Sequence, residues 1–573
     1  MKKKGCAVFA VLVMLLIFAP QAHSKEDIGE LKKQLEQMTK TVEDLKGKID
    51  SIEEAQEEEN EEVEYMSDRL DKAELHAATD KLSLGVELRS KAESIHYTDM
   101  RVAPDGFVNK FFTPFDGTAS GGFNELPSSM VGTEELASMM NNTASQYPVE
   151  KYDADNDIAY TSKFHLNMKS RFNRNLRFSG RMAAYKVWGD SAGVKNYSGS
   201  MGDILMDGNT SSLPHGDTIR LERAYFVYSD YLKNIPFGFS LGRRPSTYGP
   251  PLEYGNYSLE QGSPLSTVIN WQFDGASLNF GLEEVTGISG AALKLCYGVG
   301  FEGDWGNTYS LKNTQSDVED VHMFGFIATL FDNDDFSAVL NYAHAWDITD
   351  GFTGLTVMPF TVTKSDSDGD GEKEYHFDQN KGGYVSRVQP STEIGDWDAA
   401  SLLLRTNLYP YIEKDIDLFL ATSWSHTDPS DISANPFYEI MGQGLLSSNG
   451  DLESRDGYSI YTGALFPMPF DGRLGVEYNW GSKYWFNFTG AEDSLVGSKL
   501  ATRGSVYEGY YIQPVFGENF FFKLGSRYYD YEYTGSGNPL GKPVEISQMS
   551  SLDALNPVSD KVWEAYLSAT IRF

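Results

Sequence analysis

The chain has 573 residues, 40% of them hydrophobic and 23% charged, and its 82 acidic against 48 basic side chains give a formal net charge of −34. That field repels a phosphate backbone and excludes a nucleic-acid binder. With 54 Gly, 33 Tyr, 34 Phe and 9 Trp but only two Cys, the composition favours one large β structure, and the only long apolar run, 7–19, is short of the ~20 residues a membrane-spanning helix needs.

That run explains the first segment. Lys2, Lys3 and Lys4 precede it and Ala22-His23-Ser24 closes it with a small-x-small site, which reads as a secretory signal peptide over 1–24. Cys6 lies before the apolar stretch, where no lipid-acceptor cysteine would stand, and cleavage leaves Cys296 alone. A single thiol excludes an internal disulfide framework, a cysteine zinc site and a haem-attachment motif.

Residues 25–80 follow a heptad. Ile28, Leu35, Val42 and Ile49 hold one seam position, and Leu31, Met38, Leu45 and Ile52 the other; the register resumes at Val63, Met66, Leu70, Ala73 and Ala77. This predicts a coiled coil of about 50 residues, roughly 75 Å long. A single solvated acidic helix is the other reading of a segment so rich in Glu, and dimer versus trimer stays open.

After Asp80 the period drops from 3.5 to 2, starting with Leu82, Leu84, Val86 and Leu88. Runs of this kind recur over 81–573, joined alternately by tight turns, such as 173–175, 233–236, 332–335 and 516–519, and by long connections rich in Gly, Asn, Ser and Asp. Short turns alternating with long loops predict an all-β transmembrane barrel, with the turns and the coiled coil on the periplasmic side and the loops outside. Counting back from the C-terminus, down-strands fall at 561–573, 501–515, 458–466, 397–408, 320–331, 267–283, 219–230 and 158–171, with up-strands between them and one beginning at residue 82, about 16 in all. Over 267–301 the pattern is weakest, and a count of about 14 or 18 stays open there.

The last residues sharpen the assignment. Ala565, Leu567, Ala569, Ile571 and Phe573 alternate with Tyr566, Ser568, Thr570 and Arg572, which looks like the C-terminal assembly signal of bacterial outer-membrane barrels, with Phe573 read by the barrel-assembly machinery. Together with Gly242-Arg243-Arg244-Pro245-Ser246-Thr247-Tyr248-Gly249-Pro250-Pro251, the layout resembles an uncharacterised family of outer-membrane porins, a domain-of-unknown-function family that combines signal peptide, N-terminal coiled coil and C-terminal barrel. The resemblance implies a fold and a place in the outer membrane of a Gram-negative bacterium, but no solute.

A barrel of this size leaves an aqueous lumen. Residues alternating with the lipid-facing ones face that lumen, which puts Arg177, Arg181, Arg244, Arg405, Arg473, Lys523 and Arg527 inward, along with Arg89, Lys163, Lys169, Arg171 and Arg503, against Glu87, Glu93, Asp417, Glu477 and Glu564. The wall reads as basic, and the acidic excess falls in the long loops. The third external loop, 245–265, is the one that folds into the lumen as a constriction in trimeric porins; there Tyr248, Glu253, Tyr254 and Glu260 would meet the basic wall. Asp366, Asp368, Asp370 and Glu372 follow the first half of a calcium loop, whose hard oxygens at alternate residues suit Ca²⁺; the twelfth position is Phe377, where an EF-hand has Glu.

None of the nine histidines sits in a recognisable Gly-x-Ser-x-Gly or His-Glu-x-x-His frame, so no enzyme is expected. The expectation is a porin-like channel for passive diffusion of small hydrophilic solutes, preferring anions and needing no cofactor beyond optional Ca²⁺. Its partners are outer-membrane lipid and copies of itself, a homotrimer held through the coiled coil and the barrel wall. The alternatives are a conduit or tether that sheaths a partner protein and, last, a hydrolase on the barrel surface.

Overall fold

The computed structural model describes residues 82–573 apart from 113–130, 190–217, 246–266, 271, 302–317, 334, 351–353, 358–359, 367, 372–373, 380–384, 389–391, 433–451, 490–493, 537–542 and 556. Before residue 82 it describes only Glu36, Thr39 and Lys40, which are helical. The expected signal peptide and the rest of the expected coiled coil lie outside the described residues.

Sixteen antiparallel strands close into a barrel. In chain order they are β1 (Leu82–Val102), β2 (Glu150–Arg171), β3 (Leu176–Val187), β4 (Arg220–Leu232), β5 (Ile235–Pro245), β6 (Gln272–Gly281), β7 (Ala292–Phe301), β8 (Val321–Asp332), β9 (Phe336–Thr349), β10 (Glu393–Asn407), β11 (Asp417–Pro429), β12 (Arg455–Pro467), β13 (Arg473–Gly481), β14 (Gly504–Pro514), β15 (Phe520–Tyr531) and β16 (Lys561–Arg572). Among the described residues, the stretch left open by the sequence holds two barrel strands, β6 and β7. Several boundaries differ from the expectation by a few residues, most of all at β2, which begins at Glu150 rather than 158, and at β6, which begins at Gln272 because Ile269–Asn270 leaves the wall to pair in parallel with Phe488–Thr489.

Each strand pairs with its neighbour in sequence, and β16 closes on β1 through a register running from Glu87 opposite Arg572 to Thr98 opposite Lys561. The tight turns carry their own chemistry. The Asn173 side chain accepts from the Asn175 and Leu176 amides, both at 2.8 Å, and Asn333 does the same for Asp335 and Phe336; both are Asx turns. Between β4 and β5 a two-residue turn is set by Lys233 at φ 58°, the sign such hairpins require.

Inside and outside follow from alternation. On β16, Leu567 and Ile571 are 48% and 42% exposed, while Tyr566, Ser568 and Thr570 between them are 4%, 5% and 3% exposed. An outward apolar band around a polar interior is the arrangement of a membrane-spanning barrel. Exposed aromatics mark both rims: Trp188, Trp346 and Trp563 at the long-loop end, and Phe172, Tyr231, Tyr411, Phe470 and Phe516 at the short-turn end. No described helix is long and apolar enough to cross a membrane. At the long-loop end, Ala103, Phe107, Met140 and Ala144 of the first connection pack on Tyr375 of the 350–392 connection.

Candidate functional site

The interior is shaped by a connection the sequence pattern did not single out. Of the connection between β13 and β14, the described residues 482–489 and 494–503 turn into the barrel instead of leaving it. Trp485, Phe486 and Phe488 pack with Val268 and Ile269 on Met323, Ala343 and Trp397 of the inner wall at β8 to β10. Leu500 lies against Leu403, Phe419 and Tyr461 of β10 to β12. Leu495 and Val496 reach Ile95 and Tyr97 of β1, Ala159 of β2 and Val562 of β16. The segment therefore runs across the lumen.

Its composition dictates that path. Six large apolar side chains in one connection each gain about 1.5–3 kcal/mol on burial, and the backbone groups taken inside find partners. Asn487 Nδ2 donates to the Thr267 and Leu500 carbonyls at 3.0 and 2.9 Å, Trp485 Nε1 donates to the Leu500 carbonyl at 2.8 Å, and Asn479 Nδ2 donates to that of Lys499 at 2.7 Å. Arg503, expected on the wall, is buried and donates through Nε to the Trp485 carbonyl at 3.0 Å. The stretch Tyr484-Trp485-Phe486-Asn487-Phe488 was the available signal, because such aromatic density does not suit a solvated loop.

Charge completes the anchoring. Glu477 on β13 and Glu508 on β14 stand directly opposite in register, a like-charge pairing that opposes the sheet. Lys499 from the crossing segment enters between them, its Nζ 2.5 Å from Glu477 Oε2 and 2.6 Å from Glu508 Oε2. Tyr510 donates to Glu477 at 2.9 Å and Tyr566 to Glu508 at 2.6 Å. Arg527 Nε is 3.0 Å from Glu508 Oε1 and its Nη1 3.5 Å from Glu564. Lys523 lies 3.7 Å from Glu508, and Lys91 contacts both Glu564 and Glu93. All these side chains are buried or nearly so.

A second cluster sits on β1 to β4 and β16. His165 lies between Glu87 at 3.4 Å and Glu222 at 3.6 Å. Arg181 donates to Asn167 at 2.6 Å and approaches Glu222 at 3.5 Å, and Arg572 donates to Glu87 at 2.7 Å. Glu222 is buried beside Arg223 because the register slips between Arg181 and Met182, a bulge that breaks strict alternation.

The remaining wall is different. Arg174, Arg177, Arg244 and Lys294 line a cavity of about 1220 Å³ with Tyr225, Ser240 and Asn279. Among the described residues none of these four cations has a hydrogen-bond or ion-pair partner. The cavity reaches the short-turn end, where Arg174 and Pro236 border it.

The expected site residues thus separate. Arg177 and Arg244 share the open cavity; Arg181, Lys523 and Arg527 face inward but are matched by carboxylates. Arg473 is 3.4 Å from Asp415 and 3.7 Å from Asp417 near the short-turn end. Arg405 is half-buried and borders a space shared with Phe419 and Glu477. To the inward carboxylates expected on the basic wall the structure adds Glu222 and Glu508, which the alternation had not placed inside. Tyr248, Glu253, Tyr254, Glu260 and Glu372 lie outside the described residues. Asp366, Asp368 and Asp370 are exposed, with carboxylate oxygens within 4.8 Å of one another. Phe573 exchanges backbone hydrogen bonds with Val86 at 2.7 and 3.0 Å, its ring 77% exposed.

A family described as "Protein of unknown function (DUF3373)" matches residues 153–573. No curated protein matches the chain. Similar solved structures include OmpF of Salmonella typhi in complex with daunomycin, at 10% identity, covering 86% of this chain and 97% of that one with a TM-score of 0.36. OprB of Pseudomonas putida has 10% identity, coverage of 87% and 96%, and a TM-score of 0.39. An anion-selective porin from Comamonas acidovorans has 10% identity, coverage of 86% and 99%, and a TM-score of 0.39.

Proposed function

From the premise that the chain belongs to the DUF3373 family and folds as a porin-like closed barrel of sixteen strands, we propose that it is an outer-membrane channel for small hydrophilic solutes that prefers anions. One observation carries the reading: Arg174, Arg177, Arg244 and Lys294 around the open cavity, unpaired among the described residues. A permeating ion passes within a few ångströms of these groups, whereas carboxylates on the long loops are screened over about 8 Å at physiological ionic strength. The nearer field dominates selectivity.

In this reading the short turns and the coiled coil face the periplasm, and the coiled coil gathers the chain into a homotrimer, because its apolar seam needs partner helices. Phe573 presents the assembly signal to the barrel-assembly machinery, outer-membrane lipid covers the apolar band, and Ca²⁺ is held by Asp366, Asp368 and Asp370. The protein performs no catalysis. Planar-bilayer reversal potentials in a KCl gradient test the central claim. Anion selectivity is expected; cation selectivity, or no conductance from correctly folded protein, overturns it.

A further inference from the structure

Past the cationic cavity the wall holds a second space of opposite character. A pocket of about 90 Å³ is lined by Phe273, Met323, Ile327 and Cys296, with Arg244 and Lys294 at its border. Missing side chains open it: Gly275 on β6 stands opposite Gly298 on β7, both line the pocket, and a Cβ at Gly298 would lie 3.2 Å from the Phe273 Cβ. Arg244 and Lys294 border this pocket and the larger cavity alike.

Two like charges in a partly desolvated wall, with no counter-charge among the described residues, are costly, and an anion seated between them relieves that cost. Hydrocarbon attached to the anion would lie on the apolar surface immediately beyond, which favours it by area removed from water. Inorganic ions can use the first feature but not the second.

We infer that this junction binds a small organic monoanion with a short apolar or aromatic body. Its carboxylate sits between Arg244 and Lys294, and its hydrocarbon lies against Phe273, Met323 and Ile327. The inference rests on the anion-preferring reading and names the solute class; it makes passage of such solutes saturable.

Cys296 supplies a reporter that needs no current measurement, because it lines the pocket and the only other cysteine is Cys6, in the expected signal segment. Benzoate and acetate serve as probes on the full-length barrel while a methanethiosulfonate reagent modifies Cys296. Near-saturating benzoate should slow modification by about fivefold or more, following the occupied fraction, and acetate at the same concentration should scarcely slow it. Arg244→Gln with Lys294→Gln should abolish the protection, and Ile327→Asn should weaken it. Should the double variant fail to assemble, Lys294→Gln alone and the comparison of the two probes on the unsubstituted protein still decide. Equal protection by benzoate and acetate, or none by either, overturns the inference. If the reversal potential is anion-selective at the same time, the channel reading survives that failure; cation selectivity removes the channel reading itself.

Discussion

Along β13 to β16 each inward charge meets another: Lys499 and Arg527 on Glu508, Arg527 and Lys91 on Glu564, Arg473 on Asp415 and Asp417. Along β3 to β7 Arg177, Arg244 and Lys294 meet none among the described residues. Both walls come from the same alternating pattern, so alternation alone does not decide which lumen charges serve transport. The difference is the 482–503 segment. On the side it covers, charges are buried with protein partners and hold the segment in place; on the side it leaves open, cations remain available to a solute. In the proposed channel the unmatched cations would serve the solute, and the matched charges would hold the wall.

The hardest way to break this contrast is at Lys499. Lys499→Met leaves Glu477 and Glu508 buried face to face, and removing one partner of a buried pair typically costs about 3–5 kcal/mol. Chemical unfolding in detergent should show that loss, and single-channel records should become noisier with larger openings as the segment loosens. Adding Glu477→Gln should restore most of the stability, because the repulsion that Lys499 neutralised is then gone. If the single variant is as stable and as quiet as the parent, the segment is not held by this network.

Next in size is a swap of charges on the two walls. Changing Arg177, Arg244 and Lys294 to Glu should turn anion preference into cation preference in the same salt gradient. Lys523→Gln, which removes an equally inward but matched cation, should shift the reversal potential little. Comparable shifts from both would erase the distinction between matched and unmatched charge.

The smallest effect is expected far from either wall. Asp366, Asp368 and Asp370 should bind Ca²⁺ with heats that the triple Asp→Asn variant lacks in isothermal titration, consistent with oxygen ligands at alternate positions. Neutralising them should leave selectivity nearly unchanged, since the loop charges are screened. Identical heats in the two proteins would remove calcium from this account.

Most of the wall was legible because it repeats: period-2 alternation and turn chemistry at Asn173, Lys233 and Asn333 place the strands outside 267–301, and the barrel closes with sixteen. The interior was legible only in part, and for physical reasons. Glu222 escapes because a bulge opposite Arg181 and Met182 adds a residue, and a one-residue slip exchanges the two faces. Lys294 lies in the stretch where strand number was open, so its phase could not be assigned. The crossing segment escapes because its fate depends on tertiary partners, Val268 and Trp397 among them, that lie far away in sequence. Glu508 follows from it: only with Lys499 beside it does a second inward carboxylate opposite Glu477 make sense.

The seam between β1 and β16 carries a consequence for biogenesis. Glu87 and Arg572, joined at 2.7 Å, are 485 residues apart in the chain, and the same junction holds the backbone bonds between Val86 and Phe573. Ring closure therefore waits for the final strand, whatever the order in which the hairpins form before it. Until then the nascent sheet has two bare edges, each able to pair with a foreign strand, and the loop-closure entropy of that contact is the largest in the molecule. A catalyst of assembly would act best by holding those two edges apart from other chains and handing β16 to β1, so a chain cut short before Lys561 should accumulate as an open sheet that proteases clear.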